Sequence, residues 1–313
     1  MKKTTCEIGI GRYIYTGVVN VEVNSSCENL TDTCILTFPR KVAWENQKIT
    51  DLIKKNDGVY VNAGYDDDND DLFNGYVRDI DASIPVTVHC EDDMFLMKSG
   101  PVKMTFQDAT LKDILSAIIP SGIEIEAADI EVGKFRINNA TPAKVLEELK
   151  RIYGIYSFFQ NGKLRSGLRY WGDGTLHELS FQKDILPGHS LTFKSADDTK
   201  IKIVATSIMS DNSRIETTAG DEDGEQRTFH YYNVSKAELD RMAAQELEKL
   251  KYDGYRGSFT AFGQPYVRHG DTVKLTDRYY PEREGIYVVK STIKIFGVNG
   301  YRQTIELDRL WQN

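Results

Sequence analysis

Two stretches in the middle of the chain repeat one another, and a duplicated strand–corner–helix unit admits few folds. Phe106-Gln107-Asp108-Ala109-Thr110, followed by Ile114-Leu115 and Ile118, runs in the same order as Ile137-Asn138-Asn139-Ala140-Thr141, followed by Val145-Leu146 and Leu149. Each copy reads as a strand, an Asx-Ala-Thr corner and an amphipathic helix. In the second copy Thr141 is placed to cap the helix, and Pro142 occupies the first helical position, where a missing N–H costs nothing. Pro120 and Gly154 supply the two stops. Each helix returns into a strand, Ile123-Glu124-Ile125 and Ile155 to Gln160, and Asn161-Gly162 makes a hairpin turn to Lys163–Leu168. A compact α/β unit of two βαβ-like halves is therefore expected over residues 99–168.

On either side the period changes to that of strands. Ile8–Ile10, Tyr13–Val23 and Thr33–Pro39 are rich in β-branched and aromatic residues and are separated by Gly11-Arg12 and Asn24-Ser25-Ser26. Phe38-Pro39-Arg40 closes a strand and Asp57-Gly58 opens Val59–Val61. The run Asp66-Asp67-Asp68-Asn69-Asp70-Asp71 reads as an acidic loop before Leu72–Val77, and Pro85–Cys90 adds one more strand. Past the duplication, Trp171-Gly172-Asp173-Gly174 is a turn, Ile201–Ser207 reads as a barrel strand, and Asp221–Glu225 is a second acidic loop. Gly285–Val289 and Ile293–Phe296 read as paired strands, Asn299-Gly300 is a hairpin signal, and Tyr301–Leu307 is the last strand.

One helix interrupts this second set. Ser235 and Glu238 have the spacing of a capping box. Leu239, Met242, Ala243, Leu247 and Leu250 recur at helical spacing, and Gly254 is placed to end the helix in the left-handed conformation. The helix is expected over 235–252, lying across the strands that follow it. Gly254, Gly263 and Gly270 are expected to set the corners, and His269-Gly270-Asp271 reads as a tight turn into Thr272–Leu275.

The expected architecture is mainly β with α+β: two small barrel-like tube domains, 1–98 and 169–313, around the inserted α/β domain at 99–168. The first strands of 169–195 are candidates to return to the N-terminal barrel. A chain of 313 residues is long enough for two or three such units.

Composition narrows the function classes. A formal net charge of −8 argues against phosphate-backbone binding as the main task, because that needs clustered Lys and Arg. No apolar run is long enough to span a bilayer. Lys2 and Lys3 precede Thr4-Thr5-Cys6-Glu7 where a signal peptide would need an apolar core, so export by that route and lipid anchoring at Cys6 are not expected. Cys6, Cys27, Cys34 and Cys90 form no CxxC pair and read as free thiols of a reducing compartment rather than as zinc ligands.

No catalytic, cofactor-binding or metal-binding residue emerges. His89, His177, His189, His230 and His269 show no metal-ligand spacing, and His269 is accounted for by its turn. The Asp66–Asp71 run lacks the glycine and the terminal glutamate of a calcium loop. There is no G-x-S-x-G, no P-loop, and Gly9-Ile10-Gly11 opens no helix. With 47 Asp and Glu, some carboxylate pair will be close by chance, which supports no glycosidase. A non-enzyme without cofactors is expected.

The C-terminal third carries a resemblance. The helix, then Phe262-Gly263-Gln264-Pro265, His269-Gly270-Asp271-Thr272-Val273, Gly285-Ile286-Tyr287-Val288-Val289, Gly300-Tyr301 and Ile305-Glu306-Leu307 resemble phage baseplate hub proteins of the late control protein D family, related to the hub part of type VI secretion spikes. Gly75-Tyr76-Val77 and the α/β insertion also look like that family. The resemblance implies a structural homotrimer. Its ring would join the tail tube protein to the central spike protein and surround a channel through which DNA passes without specific binding. It also implies assembly in a bacterial cytoplasm, a final place in the virion tail baseplate, and no stable membrane insertion. With the chain ending at Asn313, a membrane-piercing tip is expected on a separate protein. Two other readings stand beside it. The duplicated unit also resembles the ring-forming domains of secretins, which would make the chain a secretion-channel component, and a cell-wall-cleaving enzyme is the third.

Overall fold

The computed structural model describes residues 3–39, 43–44, 47–48, 52–167 and 169–311. Lys2, Arg40, Leu168 and Asn313 lie outside the described residues.

Alternation builds the sheets. In Asn20–Ser26, Val21 and Val23 are buried between half-exposed Asn20, Glu22 and Asn24. In Thr33–Phe38, Cys34, Leu36 and Phe38 are buried between Thr33, Ile35 and Thr37. Twelve strands join into one sheet. Its main path runs Leu176–Ser180, Thr272–Thr276, Gly285–Gly297, Asn20–Ser26, Thr33–Phe38, Val86–Glu91, Asp68–Asp81, Gly58–Tyr65, Thr4–Ile10 and Tyr13–Tyr15, with Gly300–Leu310 and Ser258–Phe262 branching from Gly285–Gly297.

The mainly β chain with an inserted α/β unit is what forms, but the two barrel-like units are not separately closed. The splice is Gly285–Gly297. One edge of that strand runs along Gly300–Leu310, and the other is shared. Gly285–Val288 pair with Thr272–Leu275, and Ser291–Gly297 pair with Asn20–Ser26. Register shifts between Tyr287 and Ser291 let the strand bend, so that each half meets a different neighbour. The C-terminal hairpin also sends the fully buried Tyr301 ring into the N-terminal core, beside Ile8, Val21, Leu36, Val61 and Val88. Leu176–Ser180 pairs in parallel with Thr272–Thr276, so this strand does not return to the N-terminal segment as expected.

The acidic run Asp66–Asp71 is mostly strand rather than loop. Only Asp66 and Asp67 make the turn, both at positive φ, as a two-residue hairpin turn requires and as Asp tolerates.

Both copies of the duplication fold as strand, helix and strand. The strand Val102–Thr110 leads into helix α1 (Leu111–Ile118), whose N-cap Thr110 forms a capping box with Asp113. The strand Glu131–Ala140 leads into helix α2 (Pro142–Tyr153), capped by Thr141, begun by Pro142 and ended by Gly154 at φ 65°. The halves are not βαβ units within one sheet, however. Val102–Thr110 and Glu131–Ala140 pair antiparallel as a two-stranded ribbon. The strands after the helices, Glu124–Ala127 and Tyr156–Gln160, lie in a second sheet on either side of Lys163–Gly167. Each half lends its first strand to one layer and its last to the other, so both apolar helix faces close on one core of Leu111, Ile114, Leu115, Val145, Leu146 and Leu149.

Helix α3 (Lys236–Leu250) is capped by Ser235, whose hydroxyl accepts from the Glu238 N–H at 3.4 Å. It does not lie across the strands that follow it. Leu239, Ala243 and Leu250 pack on Ile201, Ile203 and Ala205, in the centre of a separate three-stranded sheet (Arg214–Gly220, Ile201–Ile208, Glu225–Tyr232). Ile201–Ile208 is thus no barrel strand. It offers this helix a buried face, which at about 1.5–3 kcal/mol per large aliphatic side chain outweighs proximity in sequence. The helix ends at Leu250, and Gly254 is a strand residue wedged between the Tyr252 ring and the Tyr287 hydroxyl.

Candidate functional site

The loop between Ser258–Phe262 and Thr272–Thr276 is where three parts of the chain meet. Gln303, fully buried on Gly300–Leu310, grips it: its amide donates to the carbonyls of Phe262 and Pro265 at 2.9 and 2.6 Å, and its oxygen accepts from the Val267 N–H at 3.2 Å. Gly263 lies against the Tyr301 ring, 2.0 Å from where a Cβ would stand, so close packing requires a glycine there rather than a corner. Gly270, at φ 84°, does set the expected corner. Asp271 staples it by accepting from the N–H groups of Arg268 and Thr175 and lying 3.1 Å from His177 Nε2.

His269 is more than a turn residue. It is 4% exposed, and its Nδ1 lies 2.6 Å from the Ser25 hydroxyl. Ser25 Oγ is in turn 2.5 Å from Asp32 Oδ2, while Asp92 accepts from the Asp32 N–H at 3.1 Å. With Asp32 ionised, the serine donates to the carboxylate and accepts from Nδ1–H. That leaves the lone pair on His269 Nε2, a buried atom without a partner. The serine stands between acid and imidazole, so this is not the order in which a histidine activates a serine nucleophile.

Lys294 lies beside this chain of bonds, 2% exposed. Its Nζ donates to the Val267 carbonyl at 2.8 Å and the Thr292 hydroxyl at 2.9 Å, and sits 4.4 Å from the centre of the Tyr266 ring. Desolvation pulls its pKa down to about 7, against the attraction of Asp32. Burial likewise lowers that of His269 and raises those of Asp32 and Asp92, the last also through the Asp32 charge. From the inserted unit, Phe158 meets the His269 ring edge-on at 5.0 Å, and Asn161 accepts from Arg268 Nη1 at 2.5 Å. A cavity of about 270 Å³ separates the three parts, lined by Asp32, Asp92, Phe159, Arg268, His269 and Lys294 among others.

The remaining sequence candidates are scattered. His89 is paired opposite Ile35 in the large sheet, His189 contacts Phe181, and His230 backs onto Gly154. Cys34 and Cys90 stand opposite one another in the N-terminal core, and all four thiols are free. Asp221 and Asp223 bind Lys251 and Lys200, tying their turn down. Among the described residues no group of three or more His, Cys, Asp and Glu is arranged to hold a metal. Ser25, Asp32, Asp92 and Lys294 carry no local motif. The available signal is parity: Lys294 alternates with Ile293 and Ile295, so one of the two sets had to face outward, and it is the isoleucines, at 37% and 38% exposure.

No family model and no curated protein matches the chain. Solved structures do. A 43 kDa tail protein of prophage MuSo2 from Shewanella oneidensis is 17% identical over 97% of this chain and 98% of its own, with a TM-score of 0.65. A tail protein from Neisseria meningitidis is 13% identical over 97% of this chain and 96% of its own, with a TM-score of 0.66. An Escherichia coli type VI secretion system component, described as structurally similar to the bacteriophage T4 tail proteins gp27 and gp5, is 11% identical over 97% of this chain and 77% of its own, with a TM-score of 0.54. At these identities the likeness is one of fold, and the fold is that of phage and prophage tail proteins, in keeping with the hub resemblance of the sequence.

Proposed function

We propose that the chain is a structural hub of a prophage tail or tail-like injection machine, a trimer joining the tail tube to the central spike around a channel. The observation that carries this reading is end-to-end likeness: the whole architecture, inserted unit included, follows tail proteins of nearly the same length. The reading is non-enzymatic, with residues 1–98 and 169–313 as tube domains and 99–168 as an insertion. Among the described residues no helix is long and apolar enough to cross a membrane. The charge of −8 suits a channel wall that repels a polyanion and lets it slide.

Mass measurement of the purified chain, alone and mixed with the tube and spike proteins of its own particle, tests the assembly. A trimer in either condition is expected, and a monomer in every mixture overturns the hub reading. A ring of about twelve or more copies would favour a secretin-like assembly. A clear band on a cell-wall zymogram would overturn the non-enzymatic part.

A further inference from the structure

The node around Lys294 joins parts of the chain that are far apart in sequence, and nothing in it neutralises the lysine directly. Among the described residues Lys294 makes no ion pair. Its contacts are a carbonyl, a hydroxyl and an aromatic ring. His269, equally buried, presents an Nε2 with no partner. A proton added to His269 Nε2 meets no acceptor, and one added to Lys294 leaves a full charge held by a carbonyl, a hydroxyl and a ring with no carboxylate bonded to it. Burying a charge without a counter-ion is among the costliest events in a protein.

We propose that this node is a pH-sensitive latch: closed at neutral pH and above, it holds the hairpin of the inserted α/β unit against the sheet, and on mild acidification it releases it. The hairpin touches the node at two points, Phe158 on the His269 ring and Asn161 on Arg268. The cavity beside them is where water must enter to solvate the new charges.

The charges facing the node set the sign. From the turns at the ends of the N-terminal strands come Asp32, Asp92 and Asp93, and from the Asp68–Asp81 strand come Asp70 and Asp71. On the loop itself Arg268 opposes a charged Lys294 and Asp271 favours it, with His177 behind Asp271. Asp32 and Asp92 hold their protons more tightly than exposed carboxylates, so their own protonation on acidification favours the closed node, and release is driven by Lys294 and His269 against it. Lys294, near 7, takes its proton before His269, whose pKa lies below the ordinary 6.5.

Amide hydrogen exchange on the isolated chain tests this, whether or not the chain assembles into a hub. After correction for intrinsic exchange, protection of residues 158–162 and 266–271 is expected to fall about tenfold or more between about pH 8 and pH 6, with the α3 sheet as an unchanged reference. Lys294→Met should abolish most of that change, and Lys294→Gln serves if the methionine variant does not fold. Equal protection of the native chain at both pH values overturns the latch, as does a full pH response in a folded Lys294 variant.

Discussion

The Ser25 hydroxyl and His269 Nδ1 lie 2.6 Å apart although 244 residues separate them in sequence. Ser25 also holds Asp32, so one side chain ties the N-terminal strands to the C-terminal loop.

Ser25→Ala leaves a half-buried carboxylate oxygen and a buried imidazole N–H without their partner. A loss of about 1–3 kcal/mol is expected, the usual cost of an unsatisfied buried group. Urea unfolding of the purified chain measures it, and an unchanged midpoint would show that water replaces the hydroxyl at no cost.

Lys294 should make stability depend on pH in a definite direction. Its pKa is near 7 when folded and 10.5 by reference when unfolded, so between these values the unfolded chain binds more protons. Its contribution to stability is therefore present above the unfolded value and lost as pH falls toward 7. Urea midpoints of the native chain should rise from about pH 7 to pH 10, and Lys294→Met should flatten that rise. The raised carboxylates Asp32 and Asp92 act in the opposite sense. Their contribution is fully present below the ordinary carboxylate range and is lost as pH rises through their folded values.

Gly263→Ala and Gly270→Ala should differ in mechanism. At Gly263 a methyl group collides with the ring of the fully buried Tyr301, so an overpacking cost of about 1–3 kcal/mol is expected, with Tyr301→Leu relieving part of it. At Gly270 there is open space, and only the positive φ resists, at about 1–2 kcal/mol. Gly270→Asn should therefore recover stability where Gly263→Asn cannot. Thermal melts of the four variants separate the two cases.

The thiols should be silent in the native state. Cys27, Cys34 and Cys90 are buried, and desolvation pushes Cys6 and Cys90 up to about 12 and Cys27 up to about 11. Thiolate is the reactive form, so a disulfide reagent at neutral pH should label the folded chain slowly and all four cysteines rapidly in denaturant. Fast labelling of a single native thiol would place Cys6 in a more open environment than its strand provides.

Local physics settled much of this protein in advance. Thr141, Pro142 and Gly154 mark the bounds of α2 because caps and stops act within a turn or two. Asn161-Gly162 and Asn299-Gly300 mark hairpins because only a few residue types tolerate positive φ. Val21, Val23, Leu36 and Phe38 lie in stretches that announced strands by their β-branched and aromatic content. What lay beyond reach was every choice among distant partners. Gly254 had the type and spacing of a helix stop, yet it serves a strand, because Tyr252 and Tyr287 close over it. α3 turned to the strands before it, and Gly285–Gly297 divided one edge between two neighbours, because burial of apolar faces is decided between surfaces that meet only after the chain collapses. The parity of Lys294 was on the page, but its burial was decided by what surrounds it: Val267, Thr292 and Tyr266 cap the ammonium, while Ile293 and Ile295 are left outside. Sequence determined the elements and their turns, and tertiary structure alone brought Ser25, Asp32, His269 and Lys294 to one point.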